Sequence, residues 1–293
     1  MIASSSRQAR AVAITGAGSG LGRDIALGFA ARGYIVFGTA VSAAEARELK
    51  EASGGRVSLA VCNVTKVDGL LAWVGGVTDA LGNSGINILI NNATVFAPGP
   101  IEVVSLDSIR NVFEVNVFST LSVINAFLPA LRKAHGRIVQ ISAWSASVPL
   151  PFNGPSHASS AAIEVFSAAY RAELRPFGID VVIASVGNLE QGSTEGSAAA
   201  LKRATETMTP GERKLYGKRF STFSAGLESL QATGMARSVA AARIIEIAEQ
   251  HPAPLRAPIG DDAEAMLRAV REKSDEELDA LRLKLGLKLV GLD

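Results

Sequence analysis

One cysteine, Cys62, in a chain of 293 residues rules out an intramolecular disulfide. Its setting, an apolar run over 57–64, reads as that of a small buried core residue rather than a reactive thiol. Histidine is nearly as scarce: His135, His157 and His251 are dispersed, so no metal-ligand cluster is legible and no metal site is expected. Charge is thin as well. Charged residues make up 19% of the chain and the formal net charge is +1. That removes the electrostatic case for nucleic acid or an anionic membrane. The stretch 138–163 has no formal charge apart from His157, but Pro149, Pro151, Asn153, Gly154 and Pro155 interrupt it, so it cannot be one spanning helix. Residues 1–7 contain no apolar signal region, and the expectation is a soluble cytoplasmic protein.

What the chain does have is alternation. Short apolar, often β-branched runs at 11–15, 35–39, 57–61, 86–91, 137–142 and 179–185 read as strands covered on both faces. Helix-length segments lie between them at 21–32, 42–52, 66–81, 106–133 (two helices or one broken one) and 156–175. Repeated β-α-β order predicts an α/β fold, a Rossmann-like doubly wound parallel sheet of about seven strands with helices on both faces. No compositional break divides the chain, so 1–293 is expected to form a single domain. The segment 187–234, rich in Ser, Thr, Gly and charge, is too long for an ordinary connection and reads as a lid-like insertion. A helix over 238–249, a last strand over 255–259 and a helical tail over about 262–287 follow.

The first strand runs into Thr15-Gly16-Ala17-Gly18-Ser19-Gly20-Leu21-Gly22 and then a helix. Glycines at such a turn permit positive φ and close backbone approach, and the free amides at the helix start favour a pyrophosphate. The strand before and the helix after supply the context this motif requires. The spacing of Gly16, Gly20 and Gly22 resembles the Thr-Gly-x-x-x-Gly-x-Gly pattern of the short-chain dehydrogenase/reductase family. Further stretches resemble that family in order: Asn91-Asn92-Ala93-Thr94, Asn116, Ser142, and the run from Ala161 through Ile179. The resemblance covers about 10–251. It implies NAD or NADP as cofactor, held by Gly16, Ser19, Gly20, Leu21, Gly22, Asn63, Val64, Asn91, Ala93, Val186 and Gly187. It also implies a polar centre at Asn116 and Ser142, a small carbonyl or alcohol substrate, and a homo-oligomer, dimer or tetramer.

The departures are as informative. Where the family carries Tyr, three residues and Lys, this chain has Ser156 and Ser160, so it reads as a divergent member lacking that pair. Four-residue spacing keeps both on one helical face, but a Ser hydroxyl has no ionisation near neutral pH without a base beside it. His157 is adjacent to Ser156 and is expected to turn about 100° away from the site face, as a partly exposed or interface residue. Tyr170 is too far along the helix to replace the lost Tyr, and Tyr216 sits in the insertion. Trp144 reads as a pocket wall or packing residue. On the cofactor side the second strand ends Thr39-Ala40-Val41, without the acid that binds the adenosine ribose or an Arg for a phosphate. Glu45 lies a full turn beyond. Asn63, Thr94 and Val186 replace the family's Asp, Gly and Pro. Two readings stand: an oxidoreductase with absent or altered catalysis, or a non-catalytic cofactor-binding or structural subunit, a pseudoenzyme, pairing with itself or with an active relative.

Overall fold

The computed structural model describes residues 10–190 and 196–290. The N-terminal stretch 1–7 and the part of the insertion at 191–195 lie outside the described residues. The elements run β1 (Ala11–Ile14), α1 (Gly20–Ala31), β2 (Ile35–Ala40), α2 (Ala43–Ala52), β3 (Val57–Val61), α3 (Val67–Leu81) and β4 (Ile88–Asn91). They continue with α4 (Leu106–Phe113), α5 (Ser119–Ala134), β5 (Arg137–Ala143), α6 (Gly154–Leu174), β6 (Asp180–Val186), α7 (Gly196–Thr207) and α8 (Pro210–Ala232). The chain closes with α9 (Arg237–Glu249), β7 (Arg256–Ile259), α10 (Asp261–Glu272) and α11 (Asp275–Val290).

The strands form one seven-stranded parallel sheet in the order β3-β2-β1-β4-β5-β6-β7. Side chains alternate across each strand, and the two faces make separate cores. Val12, Ile14, Ile90, Val139 and Val182 pack against α1 and α9 through Ile25, Phe29, Ile244 and Ile245. Ala13, Leu89, Ile138 and Val181 pack on the opposite face against Trp73 of α3, Phe127 and Leu131 of α5 and Leu174 of α6. The chain leaves β1 towards one edge and later returns to β4 on its other side. The carboxyl ends of β1 and β4 therefore flank a crevice, the place where open α/β sheets bind ligands.

The structure adds detail to the helical segments and places Cys62 differently. The 106–133 segment is one helix path interrupted by a π turn at Glu114–Phe118, which joins α4 to α5. By length and composition Leu106–Ala134 could cross a membrane, but here Val123, Ile124, Phe127 and Leu131 are buried in the second core. Among its described residues the insertion forms two helices, the second started by a reciprocal capping box between Thr209 and Glu212 with Pro210 in its first turn. The tail is a helix pair, α10 and α11. Cys62 is only partly buried: it follows β3, packing on the rim of the second core and on the cavity wall, and burial pushes its thiol pKa up.

Candidate active site

A cavity of about 1010 Å³ opens over the carboxyl ends of the central strands. Its floor is the turn after β1. Gly16 has φ +64° and Gly20 φ +54°, and a Cβ on Gly22 would collide with the Gly16 carbonyl oxygen. These positions need glycine. The turn is braced from three sides. Thr39 Oγ1 accepts the Gly16 N–H at 2.9 Å. Asn92 Nδ2 donates to the Thr15 and Gly16 carbonyls, both at 3.1 Å. Thr15 Oγ1 accepts the Asn92 and Ala93 N–H groups at 3.0 and 3.1 Å. At the start of α1, Ser19 makes no side-chain cap and no acid occupies the first turn, so the amides are left for an anion. The cradle fits a dinucleotide pyrophosphate.

Of the residues expected to hold the cofactor, Gly16, Ser19, Leu21, Asn63, Val64, Ala93, Val186 and Gly187 line the cavity. Gly20, Gly22 and Asn91 do not: the glycines shape the turn from behind, and the Asn91 side chain is buried without a partner. Asn63 Oδ1 is taken by the Thr65 amide and hydroxyl at 3.0 and 2.9 Å, which leaves its NH₂ as the donor for an adenine edge. Gly187 has a second reason to be glycine, since a Cβ there would collide with the Asp262 carboxylate. That carboxylate accepts from Asn188 N and Nδ2 at 2.8 and 2.9 Å. Glu45 also lines the cavity.

Asn116, Ser142, Ser156 and Ser160 all reach the cavity wall, but the side chains of Asn116 and Ser142 are committed elsewhere. Asn116 lies in the π turn, a helix irregularity that recurs at functional sites. Its Oδ1 accepts the Val95 N–H at 2.8 Å, and its Nδ2 donates to the Val95 carbonyl at 3.1 Å and Ser159 Oγ at 3.0 Å. Ser142 Oγ donates to Glu164 Oε1 at 2.7 Å. Glu164 is buried and paired through Oε2 with Arg256 at 2.6 Å, and Arg256 also donates to Ser185 Oγ at 3.0 Å. A hydroxyl that gives its one proton to a carboxylate offers a ligand only lone pairs. Ser156 Oγ makes a long contact, 3.4 Å, as acceptor from the Ala97 N–H.

His157 corrects the sequence expectation. The ring is buried and lines the cavity, held against Leu150 and Asn153, which precede it in the chain. Burial pushes its pKa down to about 4. Nδ1 accepts the Leu150 N–H at 3.2 Å, so the neutral ring carries its proton on Nε2, 2.9 Å from the Asn153 side-chain amide. Turned with Oδ1 towards the ring, that amide takes the proton, and Oδ1 has no other partner. Tyr216 does not line the cavity. Its ring packs edge-on to Phe152 at 6.4 Å, and a hydrogen bond to Glu102 raises its pKa. Trp144 does line it, backed by Val148 and Ala263. The roof is α8, which presents Phe223, Leu227 and Gln231 and is held down where Phe152 meets Phe220 and Phe223 at 5.7 and 5.5 Å. Sequence reasoning gave Asn92 and Glu45 no part in the site, and it placed a lid-like insertion over 187–234 without naming the α8 residues that face the cavity. The Ser42-x-x-Glu45 spacing was a usable signal for Glu45.

A doubly wound parallel sheet with a glycine turn opening onto a cavity at its switch point defines a dinucleotide-binding α/β protein. Residues 10–201 match the short chain dehydrogenase family, and the chain belongs to it. Among similar proteins is the mitochondrial D-beta-hydroxybutyrate dehydrogenase of Rattus norvegicus, 31% identical over 72% of this chain and 64% of that enzyme. This chain thus matches a little under two thirds of that relative's length. Retinol dehydrogenase 16 of Mus musculus is 33% identical over 73% of this chain and 68% of that protein. A solved short-chain dehydrogenase from Streptomyces avermitilis superposes with a TM-score of 0.77 at 26% identity, covering 96% of both chains. The family is one of NAD(P)-dependent oxidoreductases, and the cofactor site is an NAD or NADP site.

Proposed function

We propose that this chain binds a nicotinamide dinucleotide and a small, largely apolar carbonyl or alcohol ligand, and that it performs the family's hydride chemistry weakly or not at all. One observation carries this. The ionisable side chains lining the cavity, among the described residues, are Glu45, Cys62 and His157. Glu45 and Cys62 sit at the adenosine end, and His157 is neutral with both ring nitrogens engaged. Nothing beside Ser156 and Ser160 is placed to move a proton. When bound, the nicotinamide supplies or accepts hydride. The chain's own residues orient it through the glycine turn, exclude water with Trp144, Leu150 and Phe223, and accept hydrogen bonds at Ser142. A positioned general acid contributes a factor of about 10²–10⁴, or about 3–5 kcal/mol of barrier, and orientation alone recovers part of what is missing.

Titration with NADH and NADPH, followed by assay against a carbonyl and alcohol panel, tests the reading. Binding with turnover at least about 10²-fold below that of a Ser156→Tyr, Ser160→Lys double variant is expected. No binding at millimolar nucleotide, or rapid turnover by the unaltered chain, would refute it. Exposed Val165 and Phe166 on α6, 71% and 42% accessible, support a homo-oligomer, or pairing with an active relative, through that helix. A cytoplasmic location belongs to the same reading.

A further inference from the structure

β5 turns two polar side chains towards the cavity on one face, and both arrive as hydrogen-bond acceptors. Residues two apart on a strand share a face, about 7 Å from one another. Gln140 and Ser142 are such a pair, and both line the cavity. Gln140 is 4% exposed. Its Nε2 donates to the Ile141 carbonyl at 2.8 Å. That bond fixes which way the amide is turned, because two oxygens would repel there. Oε1 is left buried without a partner among the described residues. Ser142 gives its one proton to Glu164 and offers lone pairs alone. Glu164 is itself ion-paired with Arg256 at 2.6 Å, on the side of Ser142 away from the cavity.

Behind this wall stands a second amide. Asn91 is the β4 partner of Gln140 in register and lies on the same face of the sheet. It is 2% exposed, and both atoms of its amide lack partners. Buried amides are nearly always paired, so three orphaned atoms on two neighbouring residues mark a place where the polar group of a guest belongs. Ser156 and Ser160 line the same cavity from α6, but a hydroxyl turns to meet either a donor or an acceptor. The polarity is set by β5. We propose that Gln140 and Ser142, backed by Asn91, form an acceptor subsite. It takes a hydrogen-bond donor of the ligand, a hydroxyl or an amine N–H, and rejects a carbonyl of the same shape. A carbonyl oxygen placed there would leave both acceptors unpaired. The proposal rests on the small-ligand reading above and gives it a direction: of an alcohol and its ketone, the cavity holds the alcohol.

Calorimetric titration of the full chain with cyclohexanol, cyclohexylamine and cyclohexanone, free and with NADH, tests this. The three share a ring and differ only in the group they offer. The better of the two donors is expected to bind at least about fivefold more tightly than the ketone, and comparing the two donors tells a neutral hydroxyl from an ammonium. Gln140→Met keeps the length of the side chain and removes its oxygen, and is expected to narrow the gap to about twofold. Ser142→Ala removes the other acceptor and is expected to narrow it likewise, which keeps the test open to an answer where Gln140→Met fails to fold. Cyclohexanone binding the unaltered chain as tightly as the better donor, or a preference unchanged in the folded variants, overturns the subsite and leaves the small-ligand reading standing. Failure of all three compounds to bind in either form of the chain, up to their solubility, overturns the small-ligand reading and the subsite with it.

Discussion

His157 joins the loop at Leu150 to α6, and it does so only as a neutral ring. Its pKa in the folded chain is lowered from 6.5 to about 4 by burial, so over that interval the unfolded chain binds a proton that the folded chain refuses. Stability is therefore fully present above the unfolded value and is lost as pH falls towards the folded one. The unfolding free energy is expected to drop by about 2 kcal/mol between pH 6.5 and pH 5 from this residue alone. Urea melts at the two pH values check this, and His157→Gln should flatten the difference. An unchanged slope in the variant would assign the acid sensitivity elsewhere. The residue scale also shows why the polar centre is not free to act as its sequence suggests: Asn116 is tied to Val95 and Ser159, and Ser142 is tied to Glu164.

Among the elements, one buried polar side chain ties β5 to α9, beside their apolar contact. Arg137 is buried, and its Nη1 donates to the carbonyls of Ile247, Ala248 and Gln250 at 3.2, 2.8 and 2.7 Å while Nη2 meets Asp180 at 2.9 Å. It closes the carboxyl end of α9, whose last carbonyls have no partner within the helix. Arg137→Met should cost about 2–4 kcal/mol, because it leaves buried acceptors unpaired, and a lowered midpoint in chemical denaturation would register it. This bond was not legible in the sequence, since a charged residue opening a strand looks solvated there. The strands themselves were legible, because a parallel sheet covered on both sides writes continuous apolar runs. The roof was harder to read. α8 carries Gly211, Gly217 and Gly226 and packs through Phe220 and Phe223 onto Phe152, a tertiary contact with no local periodicity to announce it. Glu45 was visible as a residue but not as a wall, because its position depends on how a helix cap folds back.

At the scale of the whole molecule, one cavity draws on both halves of the sheet, the α8 roof and the α10–α11 tail that backs Trp144 through Ala263 and Leu285. A dinucleotide lying across the switch point would therefore brace most of the chain at once. At a nucleotide concentration 100 times its Kd, the folded state should gain about 2.7 kcal/mol, visible as a rise in the thermal midpoint that Gly16→Val abolishes by filling the turn. The π turn at Glu114–Phe118 has a consequence for how this chain tolerates change in length. Its extra residue offsets α5 from α4 by about 100° of rotation, and only with that offset do Val123, Ile124, Phe127 and Leu131 face the sheet. Removing one residue there would give a more regular helix and point its apolar stripe at water. A gap of one is thus far harder to accommodate at this place than a substitution, and the irregularity that positions Asn116 also sets the phase of the core behind it.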